Sequence, residues 1–308
     1  MFTIYSKKDS IIDIYVTKNP YGAENMKKIS IRILSITAIG VAFLSLALRV
    51  ISLFFFYDDI GYYKTGAILP TIANTILAIS IIFFFAASML SIDKKHSIEP
   101  TSKLSQYAAL LPMGALVFRL LRIFLTPFND NVVNKYLMAV SAIVAGVFFF
   151  LIFLAKKAYK NITFYMGIGA LLFVMLSWMC AYFEFFIPLN STDKIFFYLA
   201  CAGALLFIFN EMCACYGFVR ARFYYFSLFT SIIIMLVSPI SAMIGYFCGA
   251  IKGYITLEAD VFFIALLIYA VTRLIDAQKS KIVIEEVKST EENAPLDEEQ
   301  ENIADDSE

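Results

Sequence analysis

Arg49, Asn74, Arg119, Arg122, Glu184, Asn210 and Glu211 are polar or ionisable side chains set inside otherwise apolar stretches. An ionisable group in hydrocarbon is expensive, so it is paired, lines water or does work. The arginines could hold an anion or a lipid phosphate. Arg119 and Arg122 stand three apart and share one helix face. Helix rise places Arg49, Asn74, Arg119, Arg122 and Glu184 in one outer-half layer, with Ser238 and Pro239 a little deeper. Glu184 is expected to pair with Arg119, or else with Arg49, leaving a surplus cation to face an anion from outside or phospholipid phosphate. Arg122 can snorkel to the headgroups. Glu211, beside Asn210, falls on the order of 10–15 Å below Arg119, too far to pair with it. It reads as a proton carrier or cation ligand, or as a side chain hydrogen-bonded between helices near Tyr216 or Arg32.

Other chemistries leave no trace. There is no Walker-type phosphate loop, no His-Glu-x-x-His and no Gly-x-Ser-x-Gly. His96 is the one histidine and lies in a loop, so no catalytic constellation forms around it. Cys180, Cys201, Cys213, Cys215 and Cys248 lie in or beside apolar runs, and only Cys213 and Cys215 are close. No metal site and no cofactor are expected from that set. Lys and Arg follow a topological pattern, so nucleic acid is not an expected partner.

The elements that must position these groups are apolar runs of about 20 residues, the length that spans roughly 30 Å of hydrocarbon. The chain has 308 residues, 60% of them apolar, with 31 phenylalanines. The fold expected is an all-α integral membrane protein with about eight transmembrane helices. The spans lie near 29–56, 66–91, 104–125, 132–155, 163–189, 195–217, 223–247 and 256–275. The last is the least apolar, because Glu258 and Asp260 occupy its first turn.

Basic residues set the orientation. Lys27 and Lys28 precede the first span, and Lys94, Lys95, Lys103, Lys156, Lys157, Lys160, Arg220 and Arg222 fill alternate loops. Arg273, Lys279 and Lys281 close the last span, whereas Lys64, Lys135, Lys194 and Lys252 are single on the opposite side. Both termini are therefore expected in the cytoplasm, and the spans read as four helical hairpins. A repeat of about 60–70 residues fits an internally duplicated transporter core. The favoured reading is a hairpin protein made self-similar by the positive-inside pattern. Ala142/Gly146, Ala200/Ala204 and Gly167 with Gly169 are expected at close helix contacts. Pro112 and Pro239 are expected to bend their helices.

Three regions follow: a cytoplasmic segment 1–28, a membrane domain 29–275 and an acidic tail 276–308. Met26-Lys27-Lys28 before an apolar run is how a bacterial membrane segment opens, so translation is expected to start at Met26. Ser45-Leu46-Ala47 also resembles a signal-peptide cleavage site, but the apolar run continues to Phe56 and favours an uncleaved anchor. The tail has twelve acids against three lysines, a net −9, and is expected to be disordered.

The stretch "LRVISLFFFYDDIGYYKTGAILP" resembles the first hairpin of uncharacterised bacterial polytopic membrane proteins, in which an arginine ends the first span and a Tyr-Asp…Gly-Tyr-Tyr turn leads into the second. The resemblance implies a multi-span fold in a bacterial plasma membrane and no particular activity. Two functions are therefore carried forward. One is a non-enzymatic membrane protein that binds or moves a small anionic solute through the outer-half layer. The other is a scaffold or partner subunit that meets a protein partner through the acidic tail. The lipid bilayer is a partner in both.

Overall fold

The computed structural model describes residues 31–58, 62–92, 101–125, 132–155, 159–183, 191–218, 220–251 and 257–292, without the side chains of 132–134 and 279–292. The expected start at Met26, the loop histidine His96, Glu184 and the end of the acidic tail lie outside the described residues.

The described residues form α1 (Ile31–Phe56), α2 (Ile68–Ser91), α3 (Lys103–Ala108), α4 (Leu110–Leu125), α5 (Val132–Leu154), α6 (Lys160–Tyr182), α7 (Thr192–Tyr216), α8 (Ala221–Phe247) and α9 (Leu257–Glu292). Seven helical stretches among them are long and apolar enough to cross a membrane, with α3 and α4 counting as one run, Lys103–Leu125. Seven of the eight expected spans thus meet that measure and α9 does not. Glu258 and Asp260 at its start, and Arg273 and Asp276 further on, interrupt its apolar face.

Local chemistry accounts for the helix ends and breaks. Ser102 caps α3 and Ser191 caps α7, each accepting from the backbone N–H three residues on. Gly217 ends α7 at φ 90°, a left-handed conformation that glycine adopts without a Cβ penalty. The run from Lys103 to Leu125 is interrupted at Ala109. Pro112 explains it: its ring crowds the carbonyl four residues back, at Ala108, and offers that carbonyl no N–H. Pro239, in contrast, sits inside an unbroken α8. Likewise α1 runs without a break through Ser45-Leu46-Ala47 to Phe56.

α4, α5, α6 and α7 pack in sequence order, α7 leans on α8, and α1 and α2 close against α8. α8 and α9 are both largely buried within the bundle. α9 packs on α3, α4, α7 and α8. Its Phe262, Phe263 and Tyr269 meet Phe149 of α5, Phe173 of α6, and Phe197 and Phe207 of α7 edge-on. Ala142, Ala170, Ala200 and Ala204 are fully buried where helices approach. Gly169 sets the tightest approach, since a Cβ there would lie 2.2 Å from Val144. Gly146, expected at a close contact, has open space beside it. Ile33, Ile36, Ile79, Ile82 and Leu90 are outward-facing, a surface too apolar for water and suited to lipid.

α9 is helical through Glu292, well into the stretch whose composition points to disorder. A helix already nucleated in the bundle extends at little cost, since each further residue fixed gains a hydrogen bond.

Candidate functional site

Among the described residues three clusters of buried charge join helices far apart in sequence; Lys194 and Asp260 are buried as well. The first joins α1 to α7. Arg49, 2% exposed, places Nη2 3.0 Å from Oδ1 of Asp193 and donates from Nη1 to the Tyr63 hydroxyl. Tyr57 donates its hydroxyl to the other Asp193 oxygen. Burial and the nearby Asp193 carboxylate push the Tyr57 phenol well above its ordinary range, so it remains a donor. The guanidinium carbon lies 3.8 Å from the Phe196 ring centre, within cation–π range. Arg49 Nε is buried and has no partner.

The second cluster joins α4 to α9. Arg119 Nη1 lies 3.1 Å from Glu258 Oε2, and Arg122 Nε lies 2.6 Å from Oε1. One helix face thus delivers two arginines to one carboxylate, as their three-residue spacing requires. Glu258 stands in the first turn of α9, where the helix dipole also favours a negative charge. The arginines differ in setting: the Arg119 side chain is 10% exposed and that of Arg122 58%. Arg119 Nε is buried without a partner.

The third cluster lies near the other end of α7 and midway along α9, beside the start of α8. Glu211 is fully buried. Its Oε1 accepts from the Tyr269 hydroxyl at 2.7 Å, and its Oε2 from the Tyr224 hydroxyl at 2.8 Å. Arg273 Nε lies 2.8 Å from Oε1, close but off the line of a hydrogen bond. Arg273 Nη1 lies 3.6 Å from Asp276, one helical turn on. Asp276 Oδ2 accepts from the Ser105 hydroxyl at 2.5 Å and from the Ser102 N–H at 3.1 Å, which ties α9 to the start of α3. Asp276 Oδ1 is buried without a partner.

The structure divides the expected outer layer. Arg49 belongs to the Asp193 cluster, while Arg119 and Arg122 belong to the Glu258 cluster. Asn74 joins neither; it is exposed on α2, which packs on α1 and α8. Both buried arginines have carboxylate partners other than Glu184, which lies outside the described residues. Glu211 meets neither Tyr216 nor Arg32 but the Tyr224, Tyr269 and Arg273 set. Asn210 turns back on its own helix, donating to the Leu206 carbonyl at 2.9 Å. Sequence reasoning missed Asp193, Glu258, Arg273 and Asp276 as partners. Each sits within a turn or two of an expected span end, where a charge ordinarily reads as a solvated flank. Among the described residues no group of three or more His, Cys, Asp or Glu could hold a metal ion.

No family model, no curated protein and no solved structure matches this chain.

Proposed function

We propose that this is an eight-span protein of a bacterial plasma membrane, with both termini in the cytoplasm, that binds and moves a small anionic solute entering from the outer side. Seven spans rest on length and apolarity. The eighth is α9, whose interior position supports a membrane course despite its charges, because those charges have partners inside the bundle. The orientation follows the loop lysines and arginines.

One observation carries the anionic solute: the buried Arg119 Nε–H has no acceptor and lies beside Glu258. A guanidinium holds oxyanions through several N–H groups in one plane. An anion at Arg119 would satisfy the idle N–H and compete with Glu258 for the rest. That exchange would loosen the start of α9, while the Glu211 cluster holds its middle. A carrier needs such alternation, with one end closed while the other opens.

The test is thermal unfolding of the purified protein in detergent with inorganic phosphate, acetate or chloride at matched ionic strength. Uptake of the stabilising anion into proteoliposomes follows. The variant is Arg119→Gln with Glu258→Gln, so that neither charge is stranded. A concentration-dependent shift that the double variant loses supports the reading. No shift and no uptake with any of the three anions overturns it.

The scaffold reading is favoured by α9 alone, which carries its helix from the bundle interior to Glu292 within the acidic tail. Removal of residues 279–308 would then release a co-purifying protein partner while leaving the membrane domain folded. The cut falls after Ala277 because its carbonyl accepts from the Tyr225 hydroxyl inside the bundle.

A further inference from the structure

We propose that the third cluster is a binding site for one compact monovalent cation, a proton or an alkali ion, taken up at Asp276 Oδ1. Charge balance is the first reason. Glu211 and Asp276 are two buried carboxylates with a single arginine, Arg273, between them. The other described side chains facing the cluster add no positive charge. From α8 come the Tyr224 and Tyr225 hydroxyls, from α7 the Cys215 thiol, and from α3 the Ser102 N–H and Ser105 hydroxyl. Arg222 turns its Nε–H to the Ile92 carbonyl after α2, and Lys103 is exposed. A buried cluster one positive charge short is costly, and a bound cation removes that cost.

Satisfaction of lone pairs locates the site. Both Glu211 oxygens are engaged, one by Tyr224 and the other by Tyr269 and Arg273. Asp276 is engaged only through Oδ2, and its Oδ1 is buried with nothing to accept from. A buried carboxylate oxygen without a donor is uncommon and calls for a ligand. The residue is 6% exposed, so the ligand reaches it from the α3–α9 seam rather than from open solvent. Occupancy would also hold α9 to α3, since Asp276 is the atom group that bridges them. The site requires no transport, so binding is read without a gradient and stands or falls apart from the anionic solute.

The experiment is thermal unfolding in detergent with two arms. One replaces N-methylglucamine by sodium or lithium at fixed pH and ionic strength. The other lowers pH in alkali-free buffer. The wild-type protein should gain roughly 3 °C or more on one arm, which names the cation. Asp276→Asn should lose that gain by removing the ligand oxygen's charge. Glu211→Gln should lose it too, because Arg273 then balances Asp276. Gly146→Ala, which adds a carbon in open space on α5, leaves the cluster intact and should keep the gain. Should Asp276→Asn fail to fold, Glu211→Gln against Gly146→Ala decides. A wild-type protein indifferent to both arms overturns the proposal. So does a gain that Asp276→Asn or Glu211→Gln retains in full.

Discussion

Arg49 and Asp193 are 144 residues apart in the chain and 3.0 Å apart in the fold. Their pairing brings the last turns of α1 level with the first turn of α7. Removing either partner strands a buried charge, which can cost ~3–5 kcal/mol. Arg49→Gln and Asp193→Asn should each lower the unfolding temperature in detergent. The double variant should lose less than the sum, because no charge is then left alone. Additive losses would mean that the two residues do not interact.

Glu258 should matter more than either of its partners taken singly. Glu258→Gln removes the carboxylate that two arginines share, of which Arg119 is buried. Arg122→Gln removes an N–H donor whose side chain is 58% exposed, and exposed pairs contribute ~0–1 kcal/mol. The expected order of destabilisation is Glu258→Gln, then Arg119→Gln, then Arg122→Gln. Equal losses for Glu258→Gln and Arg122→Gln would remove the argument for a buried Arg119 pair.

Gly169 tests the α5–α6 seam. A methyl group there meets Val144 Cγ1 at 2.2 Å and Cβ at 2.7 Å. Overpacking of this kind costs about 1–3 kcal/mol. Gly169→Ala should therefore destabilise the protein, and Val144→Ala should restore part of the loss by making room. Gly146→Ala, with nothing within 4 Å of its added carbon, should be nearly neutral. A reversal of these two results would mean that the seam is packed differently.

Topology is tested with single thiols in a background lacking all five cysteines. Thiols at Lys64, Asp130, Asn190 and Gly253 should react with an impermeant reagent from outside. Those at Lys95, Lys157, Arg220 and Gln300 should react only after the membrane is opened. Gly253 and Gln300 bracket α9, so labelling of both from one side would show that α9 does not cross.

Seven membrane-length helices were legible in the sequence because long apolar runs and alternating basic loops are read residue by residue, without knowledge of packing. The pairing of charges was not. Arg49 and Arg119 were found because they interrupt apolar runs, yet their partners escaped notice. Asp193 and Glu258 stand in the first turns of α7 and α9, where an acid also suits the helix dipole and so draws no further search for a partner. Arg273 and Asp276 were absorbed into the basic flank and acidic tail that set orientation. Asn74 shows the opposite error. Depth along a helix placed it level with Arg119, but azimuth decides contact, and α2 turns Asn74 outward. The break at Ala109 followed from Pro112 by local sterics, whereas the course of α9 into the tail depends on an anchor that composition does not record.

The interior position of α9 has a consequence for biosynthesis. A chain leaves the ribosome N-terminus first, and its earlier helices are in place before the last one is made. α9 is the last helix among the described residues and the least suited to enter lipid by itself. Glu258, Arg273 and Asp276 meet partners on α3, α4 and α7, which already stand when α9 is made. Synthesis in this order lets the charged segment arrive at a waiting slot. A permuted chain that began with α9 would offer Glu258, Arg273 and Asp276 to bare lipid, and should be degraded before it assembles.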